Sequence, residues 1–284
     1  ISFAVGLLAL QAADLAGAET HLKQALAAGY KDADLAHFYL GQIAEEDKRL
    51  DQAAAWFAQI GPGEHYLRAQ IRYAGILSKQ GRLDEARAHL QQVQPQDIAQ
   101  RTLLIQAEAQ LLREAKQHQE ALEVLGKGLE KLPNQPELLY DHAMAAEKLD
   151  LLDVMEKDLR QLIQIKPDNA HAYNALGYTF AERGIRLEEA LQLTEKALSL
   201  APDDPLIMDS LGWAYYRHGE HGKAAEWLKK AHELRQDPEI AAHLGEVLWA
   251  QGQRDEARKV WNSALKLAPH NEAFRNAMQK FKHR

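Results

Sequence analysis

Residues 209–231, DSLGWAYYRHGEHGKAAEWLKKA, decide how the rest of the chain is interpreted. The stretch contains two tryptophans, two tyrosines and two histidines beside an Asp–Ser pair. Such a set is compatible with a catalytic site, with an aromatic binding surface, or with one unit of a packed helical scaffold. These alternatives are separated by whether parts of the stretch recur elsewhere in the chain.

Parts of it do recur, with a period of 33 to 35 residues. Leu-Gly pairs occur at Leu40-Gly41, Leu176-Gly177, Leu211-Gly212 and Leu244-Gly245. A second marker is an alanine found at Ala53, Ala86, Ala121, Ala190, Ala224 and Ala257, with Met155 in the one missing place. Prolines mark the same period at Pro133, Pro167, Pro202 and Pro269. Three independent markers with one period predict a repeat architecture.

The residue types at these markers favour a unit of two helices joined by a turn. A small residue in each helix lets the two helices approach closely, and a proline ends the unit because it cannot continue a helix. The turn between the helices is predicted at QGR, HGE and QGQ (80–82, 218–220 and 251–253), where glycine can adopt a positive φ. Aspartate or serine near the start of each unit supplies capping oxygens.

The composition agrees with a folded helical protein and excludes several functions. Of 284 residues, 46% are hydrophobic and 26% charged, while Gly (17) and Pro (9) are sparse. The net charge of −7 disfavours nucleic acid as a partner, since binding its phosphates needs a basic surface. The absence of cysteine excludes disulfides, thiolate metal sites and a cysteine nucleophile. No apolar run reaches the roughly 20 residues of a transmembrane helix.

The spacing resembles that of the tetratricopeptide repeat. It is carried by Tyr173-x2-Leu176-Gly177-x2-Phe180, by Met208-x2-Leu211-Gly212-x2-Tyr215 with Ala224-x3-Leu228, and by Leu244-Gly245-x2-Leu248 with Ala257-x3-Trp261 and Pro269. The resemblance implies an all-α fold, a right-handed superhelical α-solenoid of about eight helix-turn-helix repeats and a C-terminal capping helix. The repeats are predicted at 1–33, 34–66, 67–101, 102–135, 136–169, 170–204, 205–237 and 238–271, and the capping helix at 272–284.

The two ends of the array are expected to differ. The C-terminal segment places Phe274, Met278 and Phe281 on one side of a helix and charges on the other, as a cap requires. The opening ISFAVGLLAL predicts a helix rather than a signal peptide, and no cap precedes Ile1. We therefore expect the array to continue upstream in a longer chain, and the first repeat to expose an apolar edge that could support self-association.

No enzymatic motif is present: the chain has no phosphate-binding loop, no G-x-S-x-G and no H-E-x-x-H. A nucleophile made of Ser210 and His218 lacks a positioned acid. His218, Glu220 and His221 in HGEHG lack further metal ligands, so a polar turn is the favoured interpretation. We therefore predict a non-enzymatic protein with no catalytic residue, no metal site and no cofactor.

In the family that the chain resembles, the first helix of each repeat lines the concave groove, which binds a protein or peptide. When the Leu-Gly pair takes positions 7 and 8, positions 2, 5, 9, 12 and 13 face that groove. The residues predicted to bind the partner there are Tyr140, Met144, Asn174, Tyr178, Asp209, Trp213, Tyr216, Arg217, Glu246 and Trp249. The alternative for Trp213 and Trp249 is packing between repeats. Core positions are predicted at Leu211, Tyr215, Ala224, Leu228 and Trp261.

Two subtypes of the family can be compared. The lysines of the clamp that grips a C-terminal carboxylate are missing here, where the corresponding positions hold Asn174, Tyr178 and Glu182, then Asp209, Trp213 and Arg217. In contrast, NALGYTFAERG (174–184), residues 209–231 and AAHLGEVLWAQGQRDEARKVW (241–261) resemble the C-terminal repeats of proteobacterial tetratricopeptide lipoproteins. Some of these lie on the periplasmic side of the outer membrane, and one is an adaptor for a carboxyl-terminal processing protease.

This closer resemblance implies a scaffold or adaptor that binds such a protease or its substrates, a periplasmic location, and a lipid anchor upstream of Ile1. The alternative is a cytoplasmic or membrane-associated assembly factor that uses the convex face or the exposed first repeat, or a scaffold that associates with itself.

Overall fold

The structure, a computed structural model, describes residues 1–269, and across this range the chain forms sixteen α-helices and no strand. The helices belong to two compact units that divide between Asp150 and Leu151. The first unit contains α1 (Ser2–Gln11), α2 (Leu15–Ala27), α3 (Ala33–Glu46), α4 (Leu50–Phe57), α5 (Tyr66–Lys79), α6 (Leu83–Gln92), α7 (Ile98–Glu114), α8 (His118–Lys131) and α9 (Pro136–Lys148). The second contains α10 (Leu152–Ile165), α11 (Ala170–Arg183), α12 (Leu187–Leu200), α13 (Pro205–His218), α14 (His221–Leu234), α15 (Pro238–Ala250) and α16 (Arg254–Leu267).

Within each unit, consecutive helices pack as pairs. In the first unit α1 packs on α2, α3 on α4, α5 on α6, and α7 on α8; in the second, α11 packs on α12, α13 on α14, and α15 on α16. The predicted all-α class built from helix pairs is therefore confirmed. Each predicted repeat holds two helices, but α7 begins at Ile98 rather than after residue 101. The cause is Asp97, whose carboxylate accepts a hydrogen bond from the Gln100 backbone N–H (2.7 Å) and caps the helix there.

The small residues at the repeat markers form the contact between paired helices. The side chains of all six marker alanines and of Met155 are fully buried: Ala53, Ala86, Ala121, Ala190, Ala224, Ala257 and Met155. At Gly212 in α13, an added Cβ would lie 2.6 Å from Leu228 Cγ and 3.2 Å from the Ala224 carbonyl oxygen of α14. Only glycine therefore permits this spacing of α13 and α14 without a shift of either helix.

The predicted turn and cap signals act as expected in the structure. Gly81, Gly219 and Gly252 have φ values of 80°, 98° and 80°. The side chains of Asp32, Asp97, Asn169, Asp204 and Asp237 cap the first helices of their repeats. Proline follows the cap as the first residue of α13 and α15. These local signals explain where α3, α7, α11, α13 and α15 begin, whereas α1, α5 and α9 start without a side-chain cap.

The predictions for the two ends of the repeat array have different outcomes. Ile1, which precedes α1, and Val5 and Leu8 on α1 are exposed apolar side chains, as expected for the first repeat. The predicted capping helix 272–284 lies outside the described residues. Within residues 1–269, none of the helices combines the length and the apolar character needed to cross a membrane.

Candidate functional site

In the second unit the first helices of three successive repeats, α11, α13 and α15, lie side by side, with contacts from α11 to α13 and from α13 to α15. The repeat period brings side chains of similar position in each helix to the same surface. Eight of the ten residues predicted to bind a partner lie on these three helices. The part of the helices that contains six of them is called here the three-helix surface. These six are Tyr178, Asp209, Trp213, Tyr216, Arg217 and Glu246.

The centre of the three-helix surface is a buried pair formed by His243 of α15 and Asp209 of α13. The His243 Nδ1 lies 3.0 Å from each carboxylate oxygen of Asp209, and the two residues are 9% and 5% exposed. Since a carboxylate only accepts, Nδ1–H of His243 is the donor. Burial, the largest single influence, lowers the pKa of His243, but the carboxylates of Asp209, Glu239 and Glu182 together outweigh it and raise this pKa above its ordinary value.

Trp213 joins this pair to α11. Its indole stacks on the His243 ring with the centroids 4.2 Å apart and the planes 20° apart. The indole Nε1–H donates a hydrogen bond to Glu182 Oε2 at 2.7 Å. Trp213 is only 5% exposed, so the expectation that it lies open in a groove is wrong; the alternative, packing between repeats, is what the structure shows. Asp209, predicted to face a partner, is likewise buried because His243 covers it.

Tyr178 of α11 spans to the first turn of α15. Its hydroxyl donates a hydrogen bond to Glu239 Oε1 at 3.2 Å, and its ring lies 6.1 Å from that of His243. Burial is the largest cause that raises the pKa of Tyr178, and the carboxylates of Glu239, Glu182 and Asp209 raise it further. The tyrosine is therefore a neutral hydrogen-bond donor at every physiological pH, and its half-buried ring stays part of the surface.

Arg217 reaches across the C-terminal end of α11. Its Nη1–H donates to the Glu182 carbonyl oxygen at 2.6 Å, one of the carbonyls that the helix end leaves without a helical partner. Close approach is possible because residue 184 is glycine, where a Cβ would lie 2.8 Å from Arg217 Nη2. The guanidinium also lies 5.8 Å from the Trp213 ring centroid. Arg217 thus stabilises the helix end while part of it remains exposed.

A cavity of about 430 Å³ lies beside this cluster, open to solvent. Tyr216 and Glu246 are half-buried on its wall, and burial followed by the Glu246 carboxylate raises the pKa of Tyr216. The full lining is Glu182, Trp213, Tyr216, Arg217, Gly219, His221 and Glu246. Carboxylates, a guanidinium and aromatic rings together can hold an amide or a charged side chain of a bound segment.

The other four predicted residues, like Tyr178 and Asp209, do not line this cavity. Trp249 stacks on Trp261 with ring centroids 5.8 Å apart, and Arg254 and Arg258 lie over its face at 5.0 and 5.4 Å. Asn174 on α11 is half-buried, and its Oδ1 accepts no hydrogen bond within residues 1–269. Tyr140 and Met144 are half-buried on α9, in the first unit.

The residues predicted for the core are all buried: Leu211, Tyr215, Ala224, Leu228 and Trp261. Two further residues of the cluster, His243 and Glu239, escaped prediction. The sequence feature that could have identified His243 is the size of its side chain. It occupies the position before Leu-Gly, where the two preceding repeats have Ala175 and Ser210.

The residues considered for catalysis and metal binding make local contacts. The Ser210 hydroxyl donates to the Leu206 carbonyl oxygen at 3.0 Å within α13. The Nδ1 of His218 lies 3.5 Å from Oε1 of Glu220, where α13 ends and α14 begins. No group of three or more His, Asp or Glu side chains within residues 1–269 is placed to hold a metal ion.

Family models agree with this architecture. Two models, both described as "Tetratricopeptide repeat", match residues 3–65 and 186–239, and residues 215–281. Together these matches span more than half of the chain. Members of this family mediate protein–protein interactions.

Curated relatives and solved structures agree as well. The TPR repeat-containing protein PA4667 of Pseudomonas aeruginosa is 46% identical over 215 residues, which are 75% of this chain and 36% of that protein. The human interferon-induced protein with tetratricopeptide repeats 2 is 34% identical over 123 residues, 41% of this chain and 26% of its own length. This chain thus spans about a third or less of these relatives.

Among solved structures, the thermophilic TPR protein TTC0263 of Thermus thermophilus has a TM-score of 0.56 at 26% identity, covering 63% of this chain and 99% of its own. A tetratricopeptide repeat protein of Parabacteroides merdae has a TM-score of 0.60 at 16% identity, covering 98% and 96%. At that identity the second likeness concerns the fold alone. The period, the helix pairs and these matches agree: the chain belongs to the tetratricopeptide repeat family.

Proposed function

We propose that the chain is a non-enzymatic adaptor whose three-helix surface binds a segment of a partner protein. The proposal rests on a contrast between buried side chains that contact one another and half-buried side chains on the wall of the cavity. Asp209, Trp213 and His243 are buried and hydrogen-bonded or stacked to one another, whereas Tyr216 and Glu246 beside them are only half-buried. Side chains held by a buried layer lose little entropy on binding, which favours affinity.

The chemistry of the wall suits a protein segment. A half-exposed tyrosine and an arginine next to a cavity are the residue types that dominate binding energy at protein interfaces. Glu182 and Glu246 add carboxylates that can accept from backbone amides or from a basic side chain of the partner.

We further propose that the partner is a carboxyl-terminal processing protease or a substrate delivered to it, on the periplasmic side of an outer membrane. Support comes from the likeness of residues 174–184, 209–231 and 241–261 to adaptors of that kind. An anchor attached upstream of Ile1 would hold such an adaptor at the membrane.

Exposed apolar side chains on α1 favour a second function, self-association through the first repeat. Ile1 and Leu8 are exposed there, next to the half-buried Phe3, which stacks on Tyr30 at 4.2 Å. Covering these side chains in a second copy would remove apolar area from water. Sedimentation of the wild type against Leu8→Lys tests this function: a dimer that Leu8→Lys dissociates supports it, and a monomer at all concentrations contradicts it.

The adaptor function is tested with a purified carboxyl-terminal processing protease and variants of the cavity wall. Tyr216→Ala and Glu246→Arg should each weaken binding about tenfold, since each removes or reverses a central contact. The matched control is Glu226→Arg on α14, an exposed residue away from the cavity with the same change of charge. Trp213→Ala is unsuitable, because the buried indole also stabilises the fold.

Unchanged affinity in both Tyr216→Ala and Glu246→Arg, with circular dichroism equal to that of the wild type, would contradict the assignment of the surface. Failure of the wild type to bind any such protease would refute the protease as partner.

A further inference from the structure

A second cleft lies in the first unit, between α6, α7 and α8, and has a volume of about 480 Å³. Its floor is apolar. Leu90, Val93 and Leu104 are buried, and Ile105 and Val124 are half-buried beside them. The floor can therefore receive an apolar side chain of a ligand without displacing residues of the protein.

The rim of this cleft is basic. Arg101 of α7 and Lys127 and Lys131 of α8 line it, and all three are exposed. Lys127 and Lys131 lie one helical turn apart, so their ammonium groups are on the same side of α8. Within residues 1–269, none of the three is in ion-pair contact with a carboxylate, although the chain as a whole has a net charge of −7. Unpaired cations gathered in an acidic protein attract an anionic ligand.

The carboxylate that lines the cleft does not cancel this charge. Glu108 is 8% exposed, and its Oε1 accepts from Arg87 Nε at 3.1 Å and from Gln91 Nε2 at 2.8 Å. Arg87 also donates to Glu120 at 2.8 Å. Arg87 thus pairs with both Glu108 and Glu120, whereas Arg101, Lys127 and Lys131 remain available to a ligand.

We propose that this cleft binds an acidic segment of a protein that carries a leucine-sized side chain between its carboxylates. The apolar side chain enters the floor, and the carboxylates contact Arg101, Lys127 and Lys131. The lining has no aromatic ring on which a nucleic-acid base could stack. The cleft is open and short, whereas a lipid acyl chain requires a long enclosed apolar channel. The lining of the cleft shares no residue with the three-helix surface.

The experiment measures fluorescence anisotropy of a labelled short peptide of alternating Glu and Leu, added to the full chain. Arg101→Glu and Lys127→Glu should each weaken binding about tenfold, because each replaces a charge-assisted contact by repulsion. Val124→Trp, which fills the floor without changing charge, should abolish binding. The matched control is Lys31→Glu, an exposed lysine outside the cleft with the same change of charge.

Three further probes separate this proposal from other occupants: the same peptide with Lys in place of Glu, vesicles of phosphatidylglycerol, and single-stranded oligothymidine. The proposal expects the Glu-Leu peptide alone to bind in a manner that depends on Lys127 and Arg101, and to bind more weakly as salt is raised. The proposal is overturned if the wild type does not bind this peptide, if Arg101→Glu and Lys127→Glu bind it as tightly as Lys31→Glu, or if vesicles or oligothymidine are the ligands that depend on these residues.

Discussion

The Nδ1 of His243 on α15 lies 3.0 Å from both carboxylate oxygens of Asp209 on α13, and the two residues come from neighbouring repeats, 34 positions apart. Each side chain is largely buried. A buried carboxylate requires such a partner, since an unpaired charge in a protein interior is strongly unfavourable. The repeat period thus brings one residue of α13 and one of α15 together at a buried position, and each residue stabilises the other there.

This pair predicts that stability declines as the pH rises. The pKa of His243 in the folded protein is above its ordinary value of 6.5, because the attraction of Asp209, Glu239 and Glu182 outweighs the effect of burial. A raised folded pKa stabilises the fold fully below pH 6.5, and that contribution is lost as the pH rises through the folded value. Urea unfolding from pH 5.5 to 9 measures it, and His243→Gln should flatten the decline.

In the same urea unfolding experiments, Asp209→Ala should lower the free energy of unfolding by about 3 kcal/mol, since it removes one partner of a buried hydrogen-bonded pair. The control is His171→Gln, an exposed histidine at the start of α11. A variant His243→Gln that keeps the pH dependence of the wild type would show that another group is responsible.

Trp213 provides a second prediction, because its ring and its N–H contribute separately. Trp213→Phe keeps an aromatic ring against His243 but loses the hydrogen bond to Glu182, and should cost about 1–2 kcal/mol. Trp213→Ala also leaves a cavity and should cost about 3–5 kcal/mol. Chemical denaturation followed by circular dichroism measures both. Trp227→Phe on α14, where the side chain is half-exposed, is the control and should change little. Equal stability of Trp213→Ala and wild type would refute the packing role.

How far the sequence could predict these features depends on whether a residue acts within one repeat or between repeats. The period located the paired helices, and the buried marker alanines followed from it, because close approach of two helices is a local requirement. Position in the repeat also placed Tyr216 and Glu246 near one cavity.

The burial of Asp209 and Trp213 could not be predicted from their positions in the repeat. It depends on His243, a side chain of the next repeat that is larger than Ala175 and Ser210 at the same place. Repeat positions predict the side of the helix on which a residue lies, but burial there depends on what the neighbouring repeat contributes.

Glu156 predicts a loss of stability in acid. Its carboxylate accepts from Arg186 Nη1 and Arg160 Nε, both at 2.8 Å. The hydrogen bond from Arg186 is the largest cause that lowers the pKa of Glu156 from 4.5 to about 2. A lowered folded pKa stabilises the fold above pH 4.5, and this contribution is lost as the pH falls towards 2. Because the two arginines are partly exposed, Glu156→Gln should cost only about 1 kcal/mol at pH 7.

This cost should shrink as the pH is lowered towards 2, where the wild-type carboxylate becomes protonated as well. Thermal melting of wild type, Glu156→Gln and the exposed control Glu226→Gln at pH 7, 4 and 2.5 measures the difference. A deficit of Glu156→Gln that is the same at pH 2.5 and pH 7 would contradict the ion pairs as its cause.

Replacing Lys116 by glycine and replacing Gly81 by alanine should have opposite effects on stability. Lys116, in the turn between α7 and α8, has a φ of 62°, and Gly81, in the turn between α5 and α6, has a φ of 80°. Both turns use the same hydrogen bonds: Lys116 N–H donates to the Arg113 carbonyl at 2.9 Å, and Gly81 N–H to the Ser78 carbonyl at 2.9 Å. A side chain is unfavourable in this left-handed conformation, whereas glycine adopts it freely.

Lys116→Gly should therefore raise the free energy of unfolding by about 0.5–1 kcal/mol, and Gly81→Ala should lower it by about 1 kcal/mol. An added Cβ at Gly81 meets no atom within 4 Å, so a loss there reports the backbone conformation alone. The control Lys116→Ala removes the same lysine side chain but retains a Cβ, and should change stability little. Urea denaturation of the three variants measures these differences. If Lys116→Gly is no more stable than Lys116→Ala, left-handed strain does not limit the stability of this turn.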